Sequence, residues 1–202
     1  KNICLEAQNK NIDARDTLAG HLREEYYIRA LPGDKGLDID FNGNEWRKFE
    51  QFVEQGCFSE PLDYMWSNNH HLSHNRGLTL ISVWANFQKK YEFNPPHIHS
   101  GVYSFIIFVN IPYNLEDEIK MFSVNDSTTE RSKFSVASKL YFQYVSPTFM
   151  YKSNIARTFL NVDKSYEGKI IIFPSDLEHA VHPFYTSNDY RITISGNLVF
   201  RV

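Results

Sequence analysis

The spacing of hydrophobic residues predicts helices in the first third of the chain. The segment from Asp13 to Ile28 has acidic residues near its start, as helices favour. Within it, Leu18, Leu22 and Tyr26 recur every four residues, the spacing of one face of an amphipathic helix. The segment from Asn44 to Gly56 has a similar apolar face and ends on a glycine. We therefore predict two helices at the start of the domain.

From Leu78 onward the hydrophobic period changes to two, the period of a β-strand. Leu78 and Leu80 alternate with polar residues, and after a shift of one position Val83, Ala85 and Phe87 continue the alternation. Short segments separated by Pro, Asn and Asp turns, without helical patterns between them, favour an antiparallel sandwich or jelly roll. The further predicted strands are Tyr103 to Ile111, a strand near Glu118 to Phe122, Lys139 to Tyr144, Thr158 to Asn161, Lys169 to Phe173 and Tyr190 to Phe200.

Composition and charge narrow the class of protein. Aromatic residues make up 15% of the 202 residues, which is typical of a packed domain and unlike a disordered chain. A net charge of -3 gives no basic field for a phosphate backbone, so we expect no nucleic-acid partner. The longest apolar stretch is too short to cross a bilayer. Cys4 and Cys57 lack C-x-x-C spacing and indicate a reducing cytoplasm, with one disulfide as the alternative.

Two histidines stand one residue apart just before a predicted strand. On an extended backbone His97 and His99 point to the same side, where two imidazoles make a bidentate metal site. The spacing alone also fits two exposed or hydrogen-bonded histidines. A second cluster, His70, His71 and His74, lies in an Asn-rich segment and is interpreted as a solvated loop.

A third histidine and an arginine follow near the end of the chain. His179 comes shortly after an apolar strand that ends in proline, and Arg191 lies twelve residues further on. On its strand, Arg191 shares a face with Thr193 and other hydroxyl or amide side chains. Burying an arginine on such a face is unfavourable unless an anion pairs with its charge. The alternative is an exposed face on which Arg191 pairs with Asp189 or Glu178.

Several motifs occur in a fixed order: WANF, NPPHIHSGVYSF, IIIFPSDLEHAVHPF and YRITISGN. This order, from residue 80 to about 197, resembles the Fe(II)- and 2-oxoglutarate-dependent dioxygenases, and among them a small family of bacterial and bacteriophage 2-oxoglutarate/Fe(II) oxygenases. The resemblance implies a double-stranded β-helix, a jelly-roll, cupin-like barrel whose open end holds the metal. We expect one domain over residues 1–202, with a helical N-terminal extension at 1–74 packing on a barrel at 75–202.

The resemblance also implies an activity. Such enzymes use Fe(II), 2-oxoglutarate as co-substrate and dioxygen, and we expect hydroxylation of a protein side chain or a small metabolite with release of succinate and CO2. His97, His99 and His179 would be metal ligands. Arg191 would pair with the far carboxylate of 2-oxoglutarate, and Thr193 could hydrogen-bond it.

The chain departs from the family at one ligand position. The usual set is two histidines and one carboxylate, spaced H-x-D or H-x-E, yet position 99 is histidine. One interpretation is a three-histidine site. In the other, His97 or His99 lies outside the ligand set, and water or a carboxylate such as Asp176 or Glu178 completes it.

Further side chains are candidates for the pocket. Asn86 shares a strand face with Trp84, and both could line the barrel mouth, with Trp84 as core the alternative. Tyr103 has the same parity as the two histidines and could donate a hydrogen bond to the co-substrate, with a core tyrosine the alternative. His182 is expected to be a hydrogen-bonding neighbour of His179.

Two rival functions stay open. One is a cupin-type three-histidine dioxygenase that does not use 2-oxoglutarate, against which Arg191 with Thr193 argues. The other is a non-catalytic jelly-roll binding or virion module. For the leading function we expect a protein in the cytoplasm of a bacterium or a phage-infected cell, acting on an unidentified protein or small molecule. The oligomeric state is left open.

Overall fold

A computed structural model describes residues 1–29, 78–123, 135–146 and 154–200. These residues form a mainly β structure in which every strand pairing is antiparallel, which confirms the predicted fold class. The helices are α1 (Asn2–Lys10) and α2 (Leu115–Ser123). The strands are β1 (Glu25–Arg29), β2 (Leu78–Gln88), β3 (Asn94–His97), β4 (Tyr103–Asn110), β5 (Leu140–Ser146), β6 (Asn154–Leu160), β7 (Ile170–Pro174), β8 (Glu178–Val181) and β9 (Arg191–Phe200).

The described strands form two sheets. One has five strands in the order β1-β2-β9-β4-β7, and the other has four in the order β3-β8-β5-β6. Neighbours such as β2 and β9 are far apart in the chain, as jelly-roll topology requires. This arrangement places β3 and β8, which carry the predicted histidines, side by side.

The outer face of the five-stranded sheet is apolar, and α1 packs on it beside β1 and β2. The strand register shifts between Leu80 and Ser82, which accounts for the change of parity in the sequence of β2. Gly196 is required on this face, because a Cβ there would come within 2.6 Å of the Phe105 ring. The buried cluster comprises Cys4, Ala7, Ile28, Leu78, Leu80, Val83, Ala85, Phe87, Phe105, Ile192, Ile194 and Leu198.

A second apolar cluster includes residues from both sheets. Phe108 of β4, Phe142 of β5 and Phe173 of β7 belong to it. Phe142 and Phe173 pack edge-on to each other, with ring centroids 4.9 Å apart. Phe173 also lies edge-on to the ring of His179, so this cluster adjoins the predicted histidines.

The helix predicted from Asp13 to Ile28 is wrong. The chain instead folds back on itself and forms β1, where Tyr26 bridges to Asp13 and Tyr27 donates to the carbonyl of Ile12. The EYYIR sequence favours a strand, and its antiparallel pairing with β2 outweighs the four-residue spacing. The sequence analysis also missed α1, β3 and β8.

The strand predicted near Glu118 to Phe122 is also wrong, because this segment belongs to α2. Asn114 accepts a hydrogen bond from the backbone of Glu116 at the start of the helix, and three acidic residues occupy its first turn. Glu118 is fully buried and accepts bonds from the backbone of Tyr185 and Thr186. The helix predicted from Asn44 to Gly56 and the cluster at His70, His71 and His74 lie outside the described residues.

The N-terminal segment contributes to the main sheet through β1. The division of the chain into an extension and a barrel at residue 74 stays a prediction. Cys4 of α1 is a fully buried free thiol, and burial raises its pKa to about 11. Within the described ranges, no helix combines the length and apolar character needed to cross a bilayer.

Candidate active site

The structure brings the three predicted histidines together. His97 at the end of β3 is the direct cross-strand partner of His179 on β8. His99 lies two residues beyond β3, where its backbone amide donates to the carbonyl of Ser175 at 2.8 Å. The potential ligand nitrogens of all three lie within 4.8 Å of one another. The pairing of β3 with β8 therefore assembles the group.

Backbone carbonyls orient two of the imidazoles. Nδ1 of His97 lies 2.7 Å from the carbonyl of Pro95, and Nδ1 of His179 lies 3.0 Å from that of Leu177. A carbonyl can only accept, so each Nδ1 carries the proton and donates it. The lone pair of each ring is then on Nε2, which is the form that binds a metal.

Burial keeps the three histidines uncharged. The pKa of His97 is lowered mainly by burial. Burial, and then the neighbouring imidazoles, lower the pKa of His99 to about 3 and that of His179 to about 4. All three rings are therefore neutral at pH 7 and need not lose a proton to bind a cation.

The group fits a transition metal that accepts nitrogen ligands. Nε2 of His99 lies 3.2 Å from Nε2 of His179. Two nitrogens at right angles, each about 2.1 Å from a metal, would lie about 3.0 Å apart. Glu178 instead accepts a bond from Gln143 at 2.6 Å, and Asp176 is exposed. Neither carboxylate belongs to the group of potential ligands found among the described residues.

Aromatic side chains surround the histidines. The ring centroid of Trp84 lies 5.5 Å from that of His99, and Phe173 and Phe142 lie 4.7 and 5.9 Å from His179. Trp84 is buried and also lines the pocket that the histidines face. These rings make the surroundings of the imidazoles largely apolar.

Arg191 lies in the same pocket and is only 3% exposed. Its guanidinium donates to Gln88 Oε1, to the Tyr113 hydroxyl at 3.1 Å, and to the carbonyls of Ser138 and His182 at 3.1 and 3.2 Å. All of these acceptors are uncharged. Within the described residues no carboxylate forms an ion pair with Arg191, and Asp189 and Glu178 are not its partners. The cation is hydrogen-bonded, but no carboxylate in the described part of the chain neutralises its charge.

The hydroxyl-lined face predicted on β9 is turned into the pocket. Asn86 of β2 donates through Nδ2 to the hydroxyls of Thr193 at 3.0 Å and Ser195 at 3.2 Å. Asn86, Thr193 and Ser195 line the pocket together with Arg191 and the histidines. Their predicted role in binding a co-substrate stays a prediction. The backbone carbonyl of His182 accepts a hydrogen bond from Arg191, and the ring of His182 stacks on Phe159.

The structure places Tyr103 against the outer cluster, which favours the alternative of a core tyrosine, and its predicted bond to the co-substrate stays a prediction. Tyr103 packs with Phe105 and Ile107 against the outer cluster, whereas Ile106 and Phe108 line the pocket. Its predicted parity assumed an extended chain after the histidines. Gly101 instead adopts φ +105° in a bend, which resets the alternation before β4 begins.

Three polar pocket residues, and one partner of Arg191 outside the pocket lining, were not predicted from the sequence. Gln88 is the direct cross-strand partner of Arg191. It lies two residues after Asn86 and therefore on the same face of β2, which could have been read from the sequence. Tyr113 lies after β4, where the hydrophobic residues of the sequence follow no regular period. Glu25 was not recognised because its segment was predicted to be a helix. Asn94 was not recognised because strand β3 was not predicted. Glu25 and Asn94 both line the pocket.

The sequence matches the model of a known protein family. The model of a family described as "Putative 2OG-Fe(II) oxygenase" matches residues 82–197, which is more than half of the chain. No curated protein matches the chain. The matched range holds His97, His99, His179 and Arg191 in the order that the resemblance predicted. This chain belongs to the family of 2-oxoglutarate/Fe(II) oxygenases that this model describes.

Proposed function

We propose that the protein is an Fe(II)- and 2-oxoglutarate-dependent dioxygenase that hydroxylates a protein side chain or a small metabolite. The observation that carries the proposal is the presence in one pocket of three neutral imidazoles and a buried arginine that pairs with no carboxylate of the described residues. Family membership supports the same conclusion. Succinate and CO2 are the expected products of the co-substrate.

The three histidines would hold the iron. His97 and His179 are placed by paired strands, and their Nδ1–H groups are fixed by backbone carbonyls, so little reorganisation is needed for Nε2 to bind a cation. Bound Fe(II) would supply the redox chemistry that dioxygen requires. Trp84, Phe142 and Phe173 make the surroundings of this region largely apolar.

Arg191 would bind the far carboxylate of 2-oxoglutarate. Gln88 Oε1 accepts bonds from both Nε and one terminal nitrogen of Arg191, the two donors that a carboxylate would accept from bidentately. The pocket has a free interior of about 50 Å³, room for only a few waters. We expect the co-substrate carboxylate to replace Gln88 at these two donors and to supply a negative charge beside Arg191.

Two observations favour the rival, a three-histidine dioxygenase that does not use 2-oxoglutarate. The group of potential ligands found in the described part of the chain contains no carboxylate. The donors of Arg191 are also engaged by neutral acceptors of the protein itself. The buried positive charge still favours the 2-oxoglutarate enzyme, because the rival leaves it uncompensated.

The test is succinate formation by the purified protein. The protein is loaded anaerobically with Fe(II), exposed to dioxygen and 2-oxoglutarate, and assayed for succinate. We expect iron-dependent succinate from the wild type and from Arg157→Ala, which removes an exposed arginine outside the pocket, but not from Arg191→Ala. Stoichiometric iron without succinate from the wild type would contradict the proposal, and oxygen consumption independent of 2-oxoglutarate would support the rival.

A further inference from the structure

Glu25 is a buried carboxyl group to which the proposed function assigns no role. It is 1% exposed and lines the same pocket as the histidines. Glu25 on β1 is the direct cross-strand partner of Asn86 on β2, so both side chains lie on the inner face of the sheet. Burial, and then the negative charge of Asp13, raise the pKa of Glu25 to about 7. A carboxyl group in this position needs a partner.

Three oxygens in this part of the pocket are buried without a donor. They are Oε2 of Glu25, Oδ1 of Asn94 and Oδ1 of Asn86. Asn86 directs its amide nitrogen toward Thr193 and Ser195, which leaves its oxygen on the other side. All three atoms are acceptors, and burying an acceptor without a donor is unfavourable. They point to a ligand rich in N–H groups.

Gly20 keeps space open beside two of these residues. A Cβ at Gly20 would lie 2.7 and 2.9 Å from the two carboxylate oxygens of Glu25 and 2.9 Å from Oδ1 of Asn94. The oxygens of Glu25 and Asn94 therefore converge on one small region, which any other residue at position 20 would occupy. Leu18, Ala19 and Leu22 line the pocket next to it.

Glu25 and Arg191 do not neutralise each other. They lie on strands β1 and β9, with β2 between them. Their backbones are two strand spacings, roughly 10 Å, apart, and the guanidinium is bonded to Gln88, Tyr113 and two carbonyls and not to Glu25. Arg15, whose charge acts on Glu25, is engaged by both carboxylate oxygens of Asp13. The pocket thus has a cationic position at Arg191 and a separate anionic position at Glu25.

We propose that the substrate of this enzyme carries a cationic nitrogen group, an ammonium or a guanidinium, which binds between Glu25, Asn94 and Asn86. This inference rests on the proposed function for the identity of the site as an active site. Glu25 supplies the counter-charge, and the two amide oxygens accept N–H bonds. Trp84 lines the same pocket and offers an aromatic face that attracts such cations. A divalent metal fits less well, because hard cations take six or more oxygens.

The test measures the binding of small probe molecules to the protein by NMR titration. The probes are n-butylammonium and n-butylguanidinium, compared with uncharged n-butanol and anionic butyrate, on the metal-free protein and on the protein with Zn(II). We expect the cations to bind the wild type and the other two probes to bind at least tenfold more weakly. Glu25→Gln is expected to weaken cation binding at least tenfold.

Glu24→Gln is the matched control, because it makes the same change one residue away. The Glu24 carboxylate is held by Gln8 and Tyr190 and does not line the pocket, so cation binding should change less than twofold. Asn94→Leu is a second variant that keeps the charge and removes one acceptor, and it should also weaken cation binding. Circular dichroism checks that each variant folds.

Equal cation binding by wild type and Glu25→Gln, or no preference for cations over n-butanol, would overturn the inference. Calcium binding at Glu25 without amine binding would also overturn it. The outcome is separable from that of the proposed function. If cations bind but no iron-dependent succinate forms, the cation site stands and the proposed function is contradicted. If succinate forms but cations do not bind, the proposed function stands and the cation site is contradicted.

Discussion

The two faces of the β2–β9 strand pair are both buried but differ in chemistry. The outer face carries Val83, Phe87 and Ile194 under α1, and it is apolar throughout. The inner face carries the buried polar side chains of Asn86, Gln88, Arg191 and Ser195. Apolar burial stabilises the fold directly, whereas buried polar groups at best balance the cost of leaving water. The outer face thus stabilises the structure, and the inner face holds the polar groups of the candidate site.

The largest expected effect is on the inner face. His179→Ala should abolish iron-dependent succinate formation and the rise in melting temperature that Fe(II) gives the wild type under anaerobic conditions. A ligand at 100 times its dissociation constant stabilises the native state by about 2.7 kcal/mol, and the variant loses this gain. His21→Ala, which changes an exposed histidine outside the group, is the control. An Fe(II)-induced shift retained in His179→Ala would contradict the ligand assignment.

On the outer face, Phe105→Ala should lower the free energy of unfolding by about 3–5 kcal/mol. Phe105 is fully buried and its ring fills the space beside Gly196, so truncation leaves a cavity. Urea denaturation measures the loss. Metal affinity of the folded fraction should be unchanged, and a large drop in that affinity would show that the two faces are not independent.

Arg191→Ala should weaken 2-oxoglutarate binding by about 2–5 kcal/mol while leaving metal affinity nearly unchanged. Arg191→Lys should recover only part of the loss, because an ammonium cannot reproduce two parallel hydrogen bonds. Calorimetry with 2-oxoglutarate on the metal-loaded proteins makes the comparison. Equal affinity in wild type and Arg191→Ala would assign Arg191 a structural role, through its bonds to Tyr113 and Ser138.

The smallest expected effect per step of the measurement is the change in stability of the metal-free protein with each pH unit. The folded pKa values of His99 and His179 lie at about 3 and 4, below the ordinary 6.5, so the unfolded chain binds more protons between these values. Stability should therefore fall as pH drops from about 6.5 toward 4, by at most about 1.4 kcal/mol per pH unit for each histidine. Urea titrations at several pH values test this. In a His99→Ala variant the free energy of unfolding should depend less steeply on pH. An unchanged slope would show that His99 does not contribute to the pH dependence.

The sequence predicted best the segments in which one face is uniformly apolar. The alternation in β2 and β9 was clear because one face packs against α1, and the shift in β2 was visible as a change of parity. The strand β1 was missed because EYYIR also fits a four-residue spacing, and only pairing with β2 decides between the two. The predicted parity of Tyr103 does not hold, because a single bend at Gly101 resets the alternation.

The candidate site was predictable where the motifs are local, and less so where contacts are distant. His97, His99 and His179 were found because their spacing is visible, although the cross-strand pair of His97 and His179 depends on the fold. The acceptors around Arg191 could not be predicted, because Tyr113 and Ser138 lie in segments without a periodic pattern. Distant polar contacts of this kind require the three-dimensional structure.

The burial of Cys4 makes this residue a reporter for the opening of α1. A thiol with a pKa of about 11 and no exposed surface forms almost no thiolate at neutral pH, so alkylating reagents reach it only when the helix leaves the sheet. In a Cys57→Ser background, the rate of alkylation under native conditions would then measure how often this contact opens. Comparison with the global unfolding rate would show whether α1 detaches alone or only with the rest of the sheet.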